Sequence, residues 1–459
     1  MRIPGPGQQR VGTTRTLLTG PDGSIVKRSI LPGGLRVISE NVPSAHSASI
    51  GFWIGVGSRD ETAKTAGASH FLEHLLFKGT QRRSAFEISA AIEAVGGDLN
   101  AFTTKECTCF HARVLAQDLP LAIDVLADMM TDSTVTRADV DAERNVVIEE
   151  IAMYEDEPSD VAIQDFDLRA YGKSKLADPV IGSVQSIATM SRATVWNHYR
   201  KHYRPPLMVV AAAGAIDHAQ LVRDVKKATK GWATDRETKP VPARADGVTE
   251  KAPNSVAGCN VVSKPIEQAN VVLGVPGLEQ GSDRRWALAV LDTALGSGMS
   301  SRLFQEVREK RSLVYAVQSF RAGYSDAGVF GVYAGTQPDK VDECVDVVRS
   351  VLAEAAENGI TDDEVARAKG QLRGSSVLES EDAAGRMSRL GKAELLTGEL
   401  LSLDDVVAEI DRVTPEQVAR IARELLTQPE TMTVVGPFKS GRVFGSDQKE
   451  KKRTWGRRK

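Results

Sequence analysis

Apolar spacing divides this chain into helices, strands and a polar middle. Residues 69–78 are apolar nearly all round, with Phe71, Leu72, Leu75, Leu76 and Phe77 leaving no wet face, and Gly79 follows as a stop. That pattern predicts a short buried helix. A second helix is predicted from a capped start at Thr136-Arg137-Ala138-Asp139 to about Tyr154, with Val140, Val147, Ile151 and Tyr154 on one face. Strands are predicted at 34–39 and 48–56, and again at 259–263 and 269–275. Residues 236–256 are rich in Lys, Arg, Asp, Glu and Pro without apolar periodicity, and read as a linker between two similar halves. Each half runs strand, strand, buried helix, helix with a polar face, further strands. The fold class expected is α+β, a duplicated unit in which an antiparallel sheet is covered by helices.

Composition narrows the class of protein. At 459 residues the chain can build several large cores. A formal charge of −3 implies no general attraction to nucleic acid. No apolar run is long enough to span a bilayer, and no signal peptide is read at the start. Four cysteines (Cys107, Cys109, Cys259, Cys344) are too few for a disulfide scaffold and fit a reducing compartment. Cys107 and Cys109 alternate along a strand, so both face one way and read as packing. In residues 1–28, Arg2, Arg10 and Arg15 precede the first acid, Asp22, a bias like that of a mitochondrial presequence. Pro4, Gly5, Pro6 and Gly7 would break the amphipathic helix such a segment needs, so a disordered lead-in is expected there. Residues 441–459 end in Lys and Arg and read as a solvated basic tail.

The chemistry is concentrated in His70-Phe71-Leu72-Glu73-His74. On a helix, residues i and i+4 share a face, so two imidazoles can meet one metal ion while Glu73 reaches a water beside it. A single histidine on such a helix would read as an ordinary core residue. Two imidazoles and a carboxylate buried together need a partner, and a metal ion serves all three. Catalytic zinc takes a further protein ligand. On the second helix Glu143 and Glu150 border the apolar face and can reach inward, whereas Glu149 points away into solvent. All seven histidines lie at or before His218, and where the first half has its histidine helix the second has Ala287-Leu288-Ala289-Val290-Leu291. One copy of the duplicated unit is therefore expected to keep the chemistry.

The histidine segment, together with Glu143-Arg144-Asn145-Val146-Val147-Ile148-Glu149-Glu150-Ile151, closely resembles the pitrilysin–insulysin family of zinc peptidases. The resemblance extends over about residues 31–437 and is to its shorter branch, the mitochondrial processing peptidase β subunit and its bacterial relatives. It implies a clamshell of two homologous domains: a zinc-binding catalytic domain at 29–235 and a metal-free one at 257–440. It also implies one Zn²⁺ per chain held by His70, His74 and Glu150, with Glu143 supporting from behind and Glu73 as the general base. Gly96-Gly97-Asp98-Leu99-Asn100-Ala101-Phe102-Thr103 resembles the family's substrate strand, which assigns Asn100, Ala101 and Phe102 to main-chain binding of an extended peptide. In the second half Arg308 and Tyr315 match an arginine and a tyrosine that act on the substrate. The long glycine-rich loop of the processing peptidase α subunit is absent.

The function expected is a zinc-dependent endopeptidase cleaving extended or unfolded peptides or precursor segments by metal-activated water attack. The other reading is a non-catalytic assembly or binding subunit like the respiratory core proteins of the same superfamily; the intact Glu73 argues against it. The expected partners are peptide substrates and a second chain, in a homodimer or a heterodimer with a related protein. The expected location is the bacterial cytoplasm, with the mitochondrial matrix as the alternative.

Overall fold

The computed structural model describes residues 5–232, 235, 237–247 and 255–445. Four strands come first: β1 (Thr14–Thr19), β2 (Ile25–Ile30), β3 (Arg36–Asn41) and β4 (Ser47–Ile54). Helices α1 (Ala68–Leu76) and α2 (Ala85–Glu93) lead to the hairpin β5 (Asp98–Thr103) and β6 (Thr108–Leu115). Then follow α3 (Leu119–Asp132), α4 (Arg137–Asp156), α5 (Pro158–Ala170), α6 (Val184–Thr189) and α7 (Arg192–His202). Strand β7 (Met208–Gly214) and α8 (His218–Ala228) close the first half. The second half repeats the plan with β8 (Gly258–Ser263), β9 (Ala269–Pro276), α9 (Arg285–Gly296), β10 (Val314–Gly323) and β11 (Gly328–Thr336). Helices α10 (Val341–Asn358), α11 (Asp362–Glu381), α12 (Ala383–Lys392), α13 (Leu403–Arg412) and α14 (Pro415–Leu426) precede β12 (Thr431–Gly436).

Among the described residues the strands form two sheets. The first has the order β1-β2-β3-β7-β4-β6-β5 and the second β8-β12-β9-β11-β10. Stripped of β1 and β2, the two orders are the same, which is the duplication expected from sequence. Both sheets are antiparallel except for one pair each, β3 with β7 and β8 with β12, which run parallel. A parallel pair needs a long crossover, and the helices between the first and last strands of each half supply it.

Ordered strands replace much of the expected disordered lead-in. Residues 14–30 form the β1–β2 hairpin, paired from Thr14–Ser29 to Thr19–Ile25, and β2 pairs with β3 along its length. Val26 and Ile30 are fully buried and Arg28 is buried with them. The charge bias of this segment masks a turn at Pro21-Asp22-Gly23 between alternating strands, which is what these residues build. Residues 1–4 of that lead-in lie outside the described residues. So do 446–459 of the basic tail and parts of the 236–256 linker. The linker residue Val241 donates its N–H to Pro206 O (2.9 Å).

The chain falls into two compact units, and each contains a piece of the opposite half. Residues 376–405 belong to the first unit and 153–177 to the second. In the first unit, one face of the sheet carries the core of Phe52, Phe71, Leu72, Leu75 and Phe110 beneath α1 and α3. The other face, with Ile38, Trp53, Cys107, Cys109 and Val209, is closed by Met387 and Leu390 of α12. Cys107 and Cys109 are core packing, as read from sequence. A large apolar side chain fully removed from water stabilises by about 1.5–3 kcal/mol, so this small helix matters to the sheet beneath it. Ion pairs fix its register: Arg386 Nη1 and Arg389 Nη2 reach the buried Glu40 at 2.6 and 2.8 Å, and Arg28 Nη1 reaches Glu394 at 2.7 Å. In the second unit, Phe166 of α5 packs against Val272, Val329 and Val435 of its sheet.

Candidate metal centre

Helix α1 starts without a side-chain cap of its own. Its N-cap, Gly67, sits at φ 86°, and an added Cβ would meet Ile181 O at 2.7 Å, so only glycine fits. The missing cap comes from upstream. Glu61 accepts the N–H of Gly67 through Oε2 (2.7 Å) and that of Ser69 through Oε1 (2.6 Å). These two bonds and the helix dipole favour the ionised carboxyl, but burial opposes it more strongly. The anchored helix buries Phe71, Leu72, Leu75 and Leu76 and presents His70, Glu73 and His74 along one side.

Helix α4 begins as expected, with Thr136 Oγ1 accepting the Asp139 N–H at 3.1 Å. Val140, Val147 and Ile151 are buried along its inner face and Glu143 is buried beside them, while Glu149 is exposed. Glu150 Oε2 lies 3.7 Å from His70 Nε2 and 3.5 Å from His74 Nε2. One ligand atom from each of His70, His74 and Glu150 lies within 4.8 Å of the others. Two donors about 2.1 Å from a tetrahedral zinc stand roughly 3.4 Å apart. Glu150 Oε2 is buried and has no hydrogen-bond partner, and the same holds for His70 Nδ1. An orphaned carboxylate oxygen facing two imidazole nitrogens at that spacing fits a bound cation.

The surroundings prepare the donors. Burial, with a smaller push from His74, lowers the His70 pKa to about 4, so the ring is neutral and its lone pair free near pH 7. Glu143 Oε1 lies 3.0 Å from His74 Nδ1, and Glu143 Oε2 lies 2.5 Å from Lys78 Nζ. A carboxylate there requires Nδ1 to carry the proton, which directs the Nε2 lone pair toward Glu150. Glu73 receives a hydrogen bond from Thr103 Oγ1 at 2.5 Å. Burial raises the Glu73 carboxyl above its ordinary range, against the opposing pull of Thr103 and His74.

The remaining expected residues fall in two places. Asn100, Ala101 and Phe102 lie on β5, the edge strand of the first sheet. The Ala101 N–H is held by its neighbour's side chain, Asn100 Oδ1, at 2.8 Å, and Phe102 packs edge-on against Trp53 (centroids 5.6 Å apart). Arg308 and Tyr315 belong to the second unit. The Arg308 guanidinium stands over the Phe304 ring (4.8 Å) and the Tyr315 ring (5.3 Å), and Tyr315 is 79% exposed. Three residues of the first unit have no individual role in the sequence expectations: Lys78, Thr103 and Glu61. Lys78 follows His74 by one helical turn, and Thr103 shares the strand face of Leu99 and Ala101, so both carried a spacing signal. Glu61 carried none.

Two family models match the chain. Residues 36–184 match "Insulinase (Peptidase family M16)", and residues 189–372 match "Peptidase M16 inactive domain". An uncharacterized zinc protease of Streptomyces coelicolor is 50% identical over 432 residues, 94% of each chain. This chain belongs to the insulinase family, M16. Other M16 relatives include an uncharacterized zinc protease of Mycobacterium tuberculosis, 47% identical over 91% of this chain and 94% of its own length. One of Bacillus subtilis is 38% identical over 90% and 98%. Among solved structures, a protease from Helicobacter pylori covers 93% of this chain and all of its own at TM-score 0.82 and 22% identity. The peptidase M16 inactive domain from Pseudomonas fluorescens covers 94% of this chain and all of its own at TM-score 0.81 and 20% identity. These two establish the fold. The match to an inactive domain contains His198, His202 and His218 but none of His70, His74 and Glu150.

Proposed function

We propose that this chain is a zinc-dependent endopeptidase acting on extended or unfolded peptides. The observation that carries the reading is the convergence of His70, His74 and the orphaned Glu150 Oε2 beside a clasped Glu73. His70, His74 and Glu150 would hold the zinc. Bound there, zinc supplies a positive charge that makes hydroxide available near neutral pH and polarises the scissile carbonyl. Glu143 keeps His74 in the tautomer with Nε2 unprotonated, and Lys78 balances the charge of Glu143. Glu73 takes a proton from the attacking water at the oxygen that Thr103 leaves free and delivers it to the leaving nitrogen.

Edge strand β5 suits an enzyme that accepts many sequences, because main-chain hydrogen bonds read no side chain. A docking peptide would take the Ala101 N–H from Asn100 Oδ1. Arg308 and Tyr315 are assigned to the substrate on the family resemblance, with Tyr315 supplying a hydroxyl to the developing oxyanion and Arg308 fixing the peptide. A homodimer, or a heterodimer with a related chain, and a cytoplasmic location complete the proposal. No helix among the described residues is long and apolar enough to cross a membrane.

Cleavage of a quenched-fluorescent peptide library by the wild type and by Glu73→Gln, with zinc measured in both, tests the reading. The expected result is a wild type that cleaves and a variant that retains zinc and is silent. A fully zinc-loaded wild type that cleaves nothing would overturn it.

A further inference from the structure

Glu73 is held by one oxygen only among the described hydrogen bonds. Thr103 Oγ1 lies 2.5 Å from Glu73 Oε2, and since an ionised carboxylate can only accept, the hydroxyl is the donor. The strand dictates that aim. Side chains alternate along β5, so Thr103 shares a face with Leu99 and Ala101, both packed on the core that contains Phe71 and Leu72 of α1. Phe102 lies on the opposite face, in the core with Trp53. A threonine at 103 therefore points toward α1, where the base stands.

The second unit contains a related clasp. Ser319 Oγ on β10 lies 2.5 Å from Asp292 Oδ1 on α9, and these elements occupy the topological places of β5 and α1. Helix α9 carries no histidine. A hydroxyl joining the edge strand to an acid on the buried helix is thus compatible with a purely structural task, and a test of Thr103 has to separate that task from a catalytic one.

We propose that Thr103 is a positioning residue for the base. Its hydroxyl occupies Glu73 Oε2, leaves Oε1 as the oxygen that takes and returns the proton, and ties the carboxylate to the strand that aligns the substrate main chain. The proposal rests on the peptidase reading. Its physical basis is that a long carboxylate side chain free to change rotamer spends little time in the reacting geometry, and misplacement by about 1 Å can cost on the order of 100-fold in rate.

The experiment compares Thr103→Val, which keeps shape and loses the hydroxyl, with Thr103→Ser, which keeps the hydroxyl. For each, zinc content, melting temperature, kcat and KM are measured on one quenched peptide. The dissociation constant of the same peptide is measured by fluorescence anisotropy with Glu73→Gln added to prevent turnover. Thr103→Val is expected to keep its zinc and its peptide affinity within about threefold while kcat falls roughly 10- to 100-fold, and Thr103→Ser is expected to recover most of that loss. An unchanged kcat in the valine variant overturns the proposal. So does a loss in which zinc content, melting temperature and peptide affinity fall together with kcat, since that is the signature of a structural clasp alone. A zinc-loaded wild type without activity on any peptide instead overturns the peptidase reading, and the positioning role falls with it.

Discussion

Replacing Glu143 by alanine probes the candidate centre without touching any of the three converging donors. The variant removes two contacts, His74 Nδ1 at 3.0 Å and Lys78 Nζ at 2.5 Å. Lys78 is 36% exposed and turns to water when released, so its loss contributes little. His74 loses the acceptor that fixes its tautomer and ring orientation, an effect that costs about 10- to 100-fold in metal affinity, or roughly 1.4–2.7 kcal/mol. Glu143→Gln keeps a neutral acceptor of about half the strength, so a loss of roughly 3- to 10-fold is expected. Glu149→Ala removes a carboxylate that faces solvent and is expected to leave affinity within about twofold. Competition for zinc against a chromophoric chelator at fixed pH ranks the four proteins. Wild-type affinity in Glu143→Ala, or an equal loss in Glu149→Ala, would refute the helical-face reasoning that separates these neighbouring glutamates.

Three further outcomes are expected. Burial pushes Glu61 up to about 7, so the folded state keeps a proton that the unfolded state releases near 4.5. Its contribution to stability is complete below about pH 4.5 and is lost as pH rises through 7, by at most about 3 kcal/mol. The melting temperature of Glu61→Gln should accordingly improve relative to wild type between pH 5 and about 8, whereas a flat difference contradicts the assignment. Glu394→Ala leaves Arg28 and Arg36 buried without their shared carboxylate and should cost about 3–5 kcal/mol in urea unfolding; a change under about 1 kcal/mol would show that water reaches the pair. Chelation of zinc should abolish cleavage while the chain stays folded by circular dichroism, because α1 is fastened by Phe71, Leu72, Leu75, Leu76 and Glu61. Unfolding on chelation would mark the metal as structural.

The local part of this protein was legible in its residues. His70 and His74 share a helical face by spacing alone, and the same arithmetic turns Glu143 and Glu150 inward and Glu149 outward, as they lie in the structure. The duplicated order of strands and the one-sided placement of histidines were also readable, because each is a pattern along the chain. Non-local choices were not. An apolar face on β3 or β7 announces that something covers it without naming the cover, so the closure of the first sheet by α12, and of the second by α5, is decided only by packing. The hairpin at 14–30 was obscured by its charges, since the burial of Arg28 depends on Glu394, 366 residues away in sequence. The cap of α1 is of the same kind. Gly67 leaves the helix start open, and nothing in the spacing of the chain shows that Glu61 folds back to close it. Sequence set the periodicities that local backbone geometry converts into shared faces; the partners of those faces are chosen by shape and charge across the folded chain, which no local pattern encodes.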